Sequence, residues 1–515
     1  MPQATDSLID ALQSPDAFPH ATDGIELIET HISWVLLTGR FAYKIKKPVV
    51  LPFVDFSTLE RRERFCRDEL RLNRRLAPEI YVDVVPIGGT AEQPKIGEEP
   101  ALEFAVRMHQ FPARATADRL LADGELDRDA IAGLAERLAR FHAELQPVTG
   151  KQPAAGIAEN LEELDAMLAD GTGLERIGPA LEEQLRSLAA TLAQRVRDGF
   201  VREGHGDLHL GNITRIGHAL VPFDCLEFSR DLRTVDLMDE LAFLYMDLMA
   251  AKRRDLASGL VDRYLAQSGD YAGLRLLRFF AAHRALVRAK VAVIAQNEPG
   301  PAMPGSQACR YFDAARTELT AADRLLLITC GLSGSGKSTI ARQLAAELGA
   351  IQIRSDVERK RLHGLAATER SNAGTDQGLY SAEASAATYR RLLEAAESAL
   401  AGRVPIIVDA AFLERDRRED FAALAQSFDA PFLILHCTAT ADCLRERLRQ
   451  RAERNQDPSD ADESILAHQI KTADALDETE AAAAVRIDTE QAFDSAATAA
   501  GILSRAQVSL SSTSY

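Results

Sequence analysis

The stretch LLLITCGLSGSGKSTIARQLAAEL, residues 325–348, decides the fold of the C-terminal part of this chain. It begins with an apolar run typical of a buried strand and ends with apolar residues at helical spacing. The turn between them fits the pattern G-x-x-x-x-G-K-[ST], and a Gly-rich turn ahead of a helix presents backbone N–H groups to phosphates. We therefore predict that ATP binds here, with Lys337 at its β and γ oxygens and Ser338 on Mg²⁺. The predicted phosphate-binding residues are Gly331, Leu332, Ser333, Gly334, Ser335, Gly336, Lys337, Ser338 and Thr339.

The residues that follow this turn repeat the strand-then-helix order. Apolar strand-like runs at 350–356, 404–412 and 432–440 are separated by helical segments. Apolar strands that alternate with helices predict an α/β doubly wound parallel sheet covered on both faces. We place this P-loop domain at 323–505 and expect a flexible, Ser/Thr-rich tail at 506–515.

Polar residues follow these strands where ligands bind, at the carboxyl edge of the sheet. Asp356 is a candidate general base, with Arg359 one helical turn further on as a phosphate-holding group, although Asp356 is also consistent with a helix cap. Asp409 ends the next apolar run and is a candidate Mg²⁺ ligand. Arg447 and Arg451 share one helical face and are candidates to close over the phosphates, although a solvated basic helix explains them equally well.

These residues resemble the small-molecule P-loop kinase group that includes gluconate kinase-like enzymes, phage polynucleotide kinase and zeta-toxin kinases. The resemblance covers roughly 324–490 and is most specific at the Gly-rich turn. It implies transfer of the γ-phosphate of ATP to a hydroxyl, with Asp356 as the base and Arg359 as the substrate-positioning arginine.

A second motif lies far upstream, in HGDLHLGN at 205–212. It contains H-x-D-x-x-x-x-N, in which the carboxylate of Asp207 faces an acceptor hydroxyl and the amide of Asn212 turns back to Mg²⁺. Asp224 ends the strand-like run ALVPFD just downstream, where a second metal-binding carboxylate belongs. A polar turn that hydrogen-bonds to itself is the plain alternative.

The N-terminal residues offer partners for this second motif. In FAYKIKK the A-x-K spacing falls on Lys44, but Lys46 lies on the same strand face and is not excluded. Glu69, in a charged helical segment, is a candidate to pair with that lysine, and an exposed surface glutamate is nearly as consistent. The choice between the two lysines stays open at the sequence level.

HGDLHLGN with the downstream FDCLEF resembles the aminoglycoside phosphotransferase family of protein-kinase-like enzymes. The resemblance implies that Asp207 is the catalytic base, that Asn212 and Asp224 hold Mg²⁺, and that Lys44 orients ATP. No G-x-G-x-x-G precedes Lys44, where only Gly39 marks a turn, and Asp224 lacks the glycine of D-F-G. We expect an α+β bilobal kinase-like domain at 1–322, with a small lobe at about 25–112 and a helical lobe at about 113–322.

Composition limits the partners. Lys and Arg total 60 against 77 Asp and Glu, for a formal charge of −17, which disfavours nucleic-acid and anionic-membrane binders. The six cysteines form no C-x-x-C pair, and the N-terminus lacks a basic region followed by an apolar run. We therefore expect a cytoplasmic chain with reduced thiols, no metal site built from cysteines and no membrane span; its oligomeric state is left open.

The motifs together predict a bifunctional ATP- and Mg²⁺-dependent kinase that acts on hydroxyls of small molecules. One alternative is a regulator in which one module senses nucleotide and gates the other, as the missing glycine loop suggests. Another is a toxin-like kinase of sugar-nucleotide substrates, which rests only on Asp356 and Arg359.

Overall fold

The computed structural model describes residues 2–51, 54–150, 153–167, 174–295, 305–321, 323–367, 369, 379, 381–454 and 463–512. The helices, in chain order, are α1 (Pro2–Ala11), α2 (Leu59–Asn73), α3 (Ala117–Ala122), α4 (Arg128–Glu144), α5 (Pro153–Met167), α6 (Leu174–Arg197), α7 (Arg230–Arg233), α8 (Leu237–Ala250), α9 (Arg254–Ser268), α10 (Leu274–Ile294), α11 (Ser306–Thr320), α12 (Lys337–Leu348), α13 (Ser355–Leu362), α14 (Ala382–Ala401), α15 (Arg415–Ser427), α16 (Ala441–Arg454), α17 (Glu463–Thr472), α18 (Glu478–Ala483) and α19 (Ser495–Ser512). Within these described segments, every helix is too short or too polar to span a bilayer.

The strands build one antiparallel sheet, one parallel sheet and a few short ribbons. In chain order they are β1 (Glu26–Glu29), β2 (Ser33–Leu37), β3 (Phe41–Lys46), β4 (Val50–Leu51), β5 (Val54–Asp55), β6 (Tyr81–Gly89), β7 (Pro94–Ile96), β8 (Glu103–His109), β9 (Val201–Glu203), β10 (Ile213–Ile216), β11 (Ala219–Pro222), β12 (Thr234–Asp236), β13 (Leu326–Cys330), β14 (Ile351–Arg354), β15 (Ile406–Asp409), β16 (Phe432–Thr438) and β17 (Ala484–Asp488).

The first compact unit comprises Met1–Ala155 and Ala189–Leu244. Its main sheet has the strand order β1-β2-β3-β8-β6-β7, and all neighbouring strands are antiparallel. Helix α2 packs on one face, where Cys66 lies in a cluster with Ala42 and Val106. Helix α1 contributes to the core on the opposite face. The antiparallel sheet and α2 agree with the α+β character that the sequence predicts for the N-terminal part, whereas α1 adds a second packed helix.

The second compact unit comprises Gly156–Leu188 and Tyr245–Tyr515. Its sheet has the order β14-β15-β13-β16-β17 and is parallel throughout. Helices α12 and α19 bury one apolar face of the sheet, and α14 and α15 also pack against it. This arrangement confirms the prediction of an α/β doubly wound parallel-sheet domain.

Two features of this unit differ from the boundaries expected from sequence. The helices between Tyr245 and Thr320 cluster with the parallel sheet, whereas the sequence places them in the kinase-like domain at 1–322. Within the Pro/Gly-rich linker candidate at 297–308, residues 297–304 lie outside the described residues. Helix α19 continues to Ser512, into the stretch expected to be a tail.

Candidate functional site

The P-loop of the second unit has a shape that only glycine permits at two positions. Gly331 and Gly334 have φ of +148° and +85°. A Cβ atom on Gly331 would lie 2.3 Å from the carbonyl oxygen of Cys437, and one on Gly334 would lie 2.9 Å from that of Leu444. The close approach of β16 and α16 therefore excludes side chains at these two positions. The first backbone N–H groups of a helix, here those of Lys337 and Ser338, have no acceptor within the helix, as a phosphate site requires.

Lys337 begins helix α12 and lies inside this loop. Its Nζ donates a hydrogen bond to the carbonyl oxygen of Leu332 at 2.8 Å. Burial lowers the pKa of Lys337, and the nearby Asp409 offsets this only in part. A bound phosphate would add negative charge near this ammonium group, beyond that of Asp409 and Asp356.

The two predicted Mg²⁺ ligands of the P-loop lie together. Asp409 ends β15 and is 4% exposed, and the side chain of Ser338 lies close enough to lower the pKa of its carboxyl group. Burial raises the pKa of Asp409, while Arg354 and Ser338 lower it. A hydroxyl and a carboxylate are oxygen ligands that Mg²⁺ accepts together with water and phosphate oxygens. The residues present therefore fit the ion.

Two neighbours of Asp409 were not predicted from sequence. The Nε2 atom of Gln352 donates to Oδ2 of Asp409 at 2.9 Å, and Nε of Arg354 lies 3.5 Å from the same oxygen. Both side chains come from β14, which pairs with β15 so that Arg354 is opposite Asp409. Residues two apart on one strand share a face, and the sequence carries this alternation but not the identity of the paired strand.

A cavity of about 640 Å³ brings the other predicted residues of this module together. Its walls include Asp356 and Arg359, which follow β14, and Arg447 and Arg451, which lie on α16. All four face one space with the P-loop and Asp409. The predicted phosphate-binding, metal-binding and acceptor-binding groups thus share a single cavity.

The local contacts of these residues qualify their predicted roles. Asp356 lies within the first turn of α13, whose N-cap is Arg354, so Asp356 is not the cap that we considered as an alternative. Arg359 donates to the carbonyl oxygen of Leu379 at 2.9 Å. Arg447 donates to Oγ1 of Thr489 at 2.8 Å, and this contact ties α16 to the chain beyond β17.

Helix α17 supplies further cavity residues that sequence reasoning missed. His468, Gln469 and Thr472 line the space, and Oε1 of Gln469 accepts a hydrogen bond from the N–H of Ser333 in the P-loop at 2.8 Å. Gln469 is 136 positions from Ser333 and belongs to no recognised motif, so no local signal could have paired the two residues.

In the kinase-like site of the first unit, the two lysines share Glu69 but differ in their second acidic partner. Nζ of Lys44 lies 2.9 Å from Oε1 of Glu69 and also pairs with Asp224. Lys46 is fully buried and pairs with Glu69 and with Glu227, which was not predicted. Burial alone would lower the pKa of Lys44, but the carboxylates hold it well above its ordinary value. Only Lys44 contacts the predicted metal-binding carboxylate.

The charges of this cluster fit a divalent cation. Two lysines face three carboxylates, so one negative charge is in excess when all are ionised. The Asp224 side chain is the most exposed of the three acids, at 41%. Asp224 also has φ of +61°, a left-handed conformation that aspartate tolerates better than most residues. Such conformations are concentrated at functional sites.

The loop that carries Asp207 is held by hydrogen bonds within it and by Glu240 on α8. Asn212 donates its side-chain amide to Oδ2 of Asp207 at 3.0 Å, which places the two predicted catalytic-loop residues in contact. Glu240 accepts from the N–H groups of His205 and Gly206. Burial raises the pKa of Glu240, but hydrogen bonds, first among them that of His142, outweigh burial and lower it to about 2.

The turn expected from the kinase resemblance to cover the phosphates contains no glycine. Because Lys44 lies on the third strand, the hairpin equivalent to a Gly-rich loop is β1–β2. Its turn is closed by hydrogen bonds from the N–H of Thr30 to the carbonyl oxygen of Ser33 at 2.9 Å and from the N–H of Ser33 to Oγ1 of Thr30 at 3.0 Å. Gly39, with φ of +90°, marks the β2–β3 turn instead.

Comparison with known proteins agrees with this division. A family model described as an AAA domain matches residues 326–476. The uncharacterized proteins Rv2004c of Mycobacterium tuberculosis and Mb2027c of Mycobacterium bovis are each 32% identical over 474 residues, which is 87% of this chain and 92% of theirs. These matches extend across both compact units.

Two solved structures show weaker likeness. A choline/ethanolamine kinase family protein from Mesorhizobium loti covers 62% of this chain and 95% of its own, at 13% identity and a TM-score of 0.39. A gluconokinase from Sinorhizobium meliloti covers 37% of this chain and 94% of its own, at 21% identity and a TM-score of 0.24. The family model at residues 326–476 agrees with the prediction of a P-loop domain in the C-terminal part of the chain.

Proposed function

This chain belongs to the same family as the mycobacterial proteins Rv2004c and Mb2027c, and we propose that it is a bifunctional, ATP- and Mg²⁺-dependent phosphotransferase. Each module transfers the γ-phosphate of ATP to a hydroxyl of a small molecule. The proposal is carried by one observation: the P-loop, the Ser338–Asp409 pair, Asp356 and Arg359 line one cavity. The free cysteines, four of them buried, support a cytoplasmic site of action.

In the P-loop module, Asp356 takes the proton of the acceptor hydroxyl, whose oxygen then attacks the γ-phosphorus. The bond to the bridging β-oxygen breaks, and ADP leaves with the electron pair. Lys337 and the loop N–H groups stabilise the charge on the β and γ oxygens, and Arg359 holds the acceptor. Mg²⁺, when held by Ser338 and Asp409, neutralises phosphate charge.

In the kinase-like module, Asp207 has the corresponding role of base. Asn212 fixes its carboxylate, and Lys44 orients the phosphates through its charge. Asn212 and Asp224 would hold Mg²⁺ there, with Glu69 keeping Lys44 in place. This assignment is supported by the contacts that join Lys44 to Glu69 and to Asp224.

The test is ADP production by the full-length chain with panels of sugars, aminoglycosides and nucleosides. Lys337→Met should lower the turnover of the P-loop site by about 100-fold or more, and Asp207→Asn should do the same for the kinase-like site. Lys95→Met, at an exposed position of strand β7, is the matched control and should leave both activities intact. Parental turnover in the double variant would show that both site assignments are wrong.

A second function is favoured by the glycine-free turn over the kinase-like site. We propose, as the alternative, that this module binds nucleotide without transferring phosphate and regulates the P-loop module. Under this alternative Asp207→Asn leaves all phosphotransfer products in place, while Lys44→Met changes the ATP dependence of the remaining activity. A product that disappears with Asp207→Asn contradicts it.

A further inference from the structure

The side chain of Gln352 joins both predicted Mg²⁺ ligands of the P-loop site. Its Nε2 donates to Oδ2 of Asp409 at 2.9 Å and to the carbonyl oxygen of Ser338 at 3.3 Å. A carboxamide nitrogen has two donors, so one side chain holds the metal carboxylate and the backbone at the start of α12 at once. Gln352 is 6% exposed, and bonds of this kind in a buried place fix the geometry of the groups that they join.

The carboxylate of Asp409 is held unevenly by the protein. Its Oδ2 receives the amide of Gln352 and the charge of Arg354. Its Oδ1 lies 3.5 Å from Oγ1 of Thr329, whose hydroxyl proton goes to the carbonyl oxygen of Ala410 at 2.7 Å. The amide of Gln352 therefore sets the rotation of the carboxylate.

Gln352 is itself held by a helix that precedes the P-loop in the chain. Its backbone N–H donates to Oδ1 of Asp262 on α9 at 2.7 Å, at the outer edge of strand β14, which is an edge strand of the sheet. An edge strand has backbone groups without partners in the sheet, and α9 covers them here. Burial raises the pKa of Asp262 to about 7, against the charges of Arg263, Arg342 and Arg354 that face it.

We propose that Gln352 is a positioning residue that orients Asp409 and Ser338 for Mg²⁺, and that helix α9 holds Gln352 in place through Asp262. The proposal rests on the proposed nucleotide function of the P-loop site. Outer hydrogen bonds to metal ligands contribute roughly 10- to 100-fold to metal affinity. The loss of this amide should therefore appear in Mg²⁺ dependence and not in nucleotide binding as such.

The experiment compares ATP affinity of the full-length chain by calorimetry in Mg²⁺ and in EDTA. All proteins carry Asp224→Asn, which removes a predicted metal ligand of the kinase-like site. Gln352→Met replaces the amide by an apolar group of similar size, and Gln426→Met, on the exposed face of α15, is the matched control. Gln352→Asn, with the amide drawn back by one methylene, gives the same comparison if Gln352→Met does not fold.

Gln352→Met should keep the ATP affinity measured in EDTA and lose roughly tenfold or more of the tightening by Mg²⁺. Gln426→Met should retain the full tightening. Asp262→Leu should lose part of it, and Asp262→Asn, which keeps the acceptor oxygen, should restore it.

An unchanged Mg²⁺ tightening in both Gln352 variants overturns the proposal, even if their unfolding midpoints fall, because a purely structural role predicts that result. If the Asp224→Asn chain shows no ATP binding at all, the proposed function of the P-loop site fails as well.

Discussion

Replacing Gly331 by alanine should destabilise the second unit and abolish nucleotide binding at the P-loop. The conformation at φ of +148° is open almost only to glycine, which costs alanine about 1–3 kcal/mol. The new Cβ would also lie 2.3 Å from the carbonyl oxygen of Cys437, so β16 must shift, at about 1–3 kcal/mol more. Together these terms reach about 2–6 kcal/mol, a large share of the ~5–15 kcal/mol that stabilises a typical domain.

The assay is urea unfolding followed by far-UV circular dichroism, together with ATP titration by calorimetry. The single tryptophan, Trp34, lies in the first unit, so its fluorescence follows that unit separately. Gly501→Ala is the matched control, because its Cβ meets no atom within 4 Å in α19, and it should stabilise by about 0.5–1 kcal/mol. If Gly331→Ala unfolds at the parental midpoint and binds ATP with parental affinity, the close packing derived for the loop is wrong.

Three further predictions concern buried charges. The pKa of Glu240 is lowered to about 2, so its contribution to stability is present above its ordinary pKa of 4.5 and is lost as the pH falls toward 2. Glu240→Gln should therefore make the free energy of unfolding less dependent on pH in this acid range, as measured by urea unfolding with Trp34 fluorescence. The same variant should lower the free energy of unfolding at pH 7 by about 1–3 kcal/mol. The pKa of Asp262 is raised to about 7, so its contribution is greatest below its ordinary pKa of 3.8 and is lost as the pH rises through 7; Asp262→Asn should gain stability over the parent at pH 8 relative to pH 4, and an equal difference at both pH values would contradict this. Arg418 is 1% exposed and donates to both carboxylate oxygens of Glu480, at 2.6 and 2.9 Å. Arg418→Met should lower the free energy of unfolding by about 3 kcal/mol. A loss under 1 kcal/mol in urea unfolding would count against a buried pair.

The site residues that could be predicted from sequence are those whose partners lie close to them along the chain. The P-loop is encoded within eight consecutive residues, and its glycines and Lys337 needed only the flanking strand and helix. Asp207 and Asn212 are five apart and lie on one loop, so their spacing was enough to place them in contact. Each prediction rested on local geometry that hardly depends on the rest of the fold.

The remaining site residues depend on pairings between distant segments. Lys44 and Lys46 share a strand face, so composition and periodicity treat them alike. They are distinguished only by the acids that the fold brings to them, Asp224 for the first and Glu227 for the second. The role of Gln352 could not be predicted from sequence either, because its amide reaches Asp409 only when β14 pairs with β15.

The helices before the P-loop domain show why a domain boundary is harder to predict than a motif. An amphipathic pattern states that a helix buries one face, but it does not state which surface covers that face. The sequence places α9 and α10 in the domain at 1–322, yet Asp262 bonds to β14 and Arg275 pairs with Glu397 on α14 at 2.6 Å. A P-loop fragment that began at 323 would leave the N–H of Gln352 and the carboxylate of Glu397 without these partners. The fold of the P-loop domain therefore depends on helices that precede it in the chain.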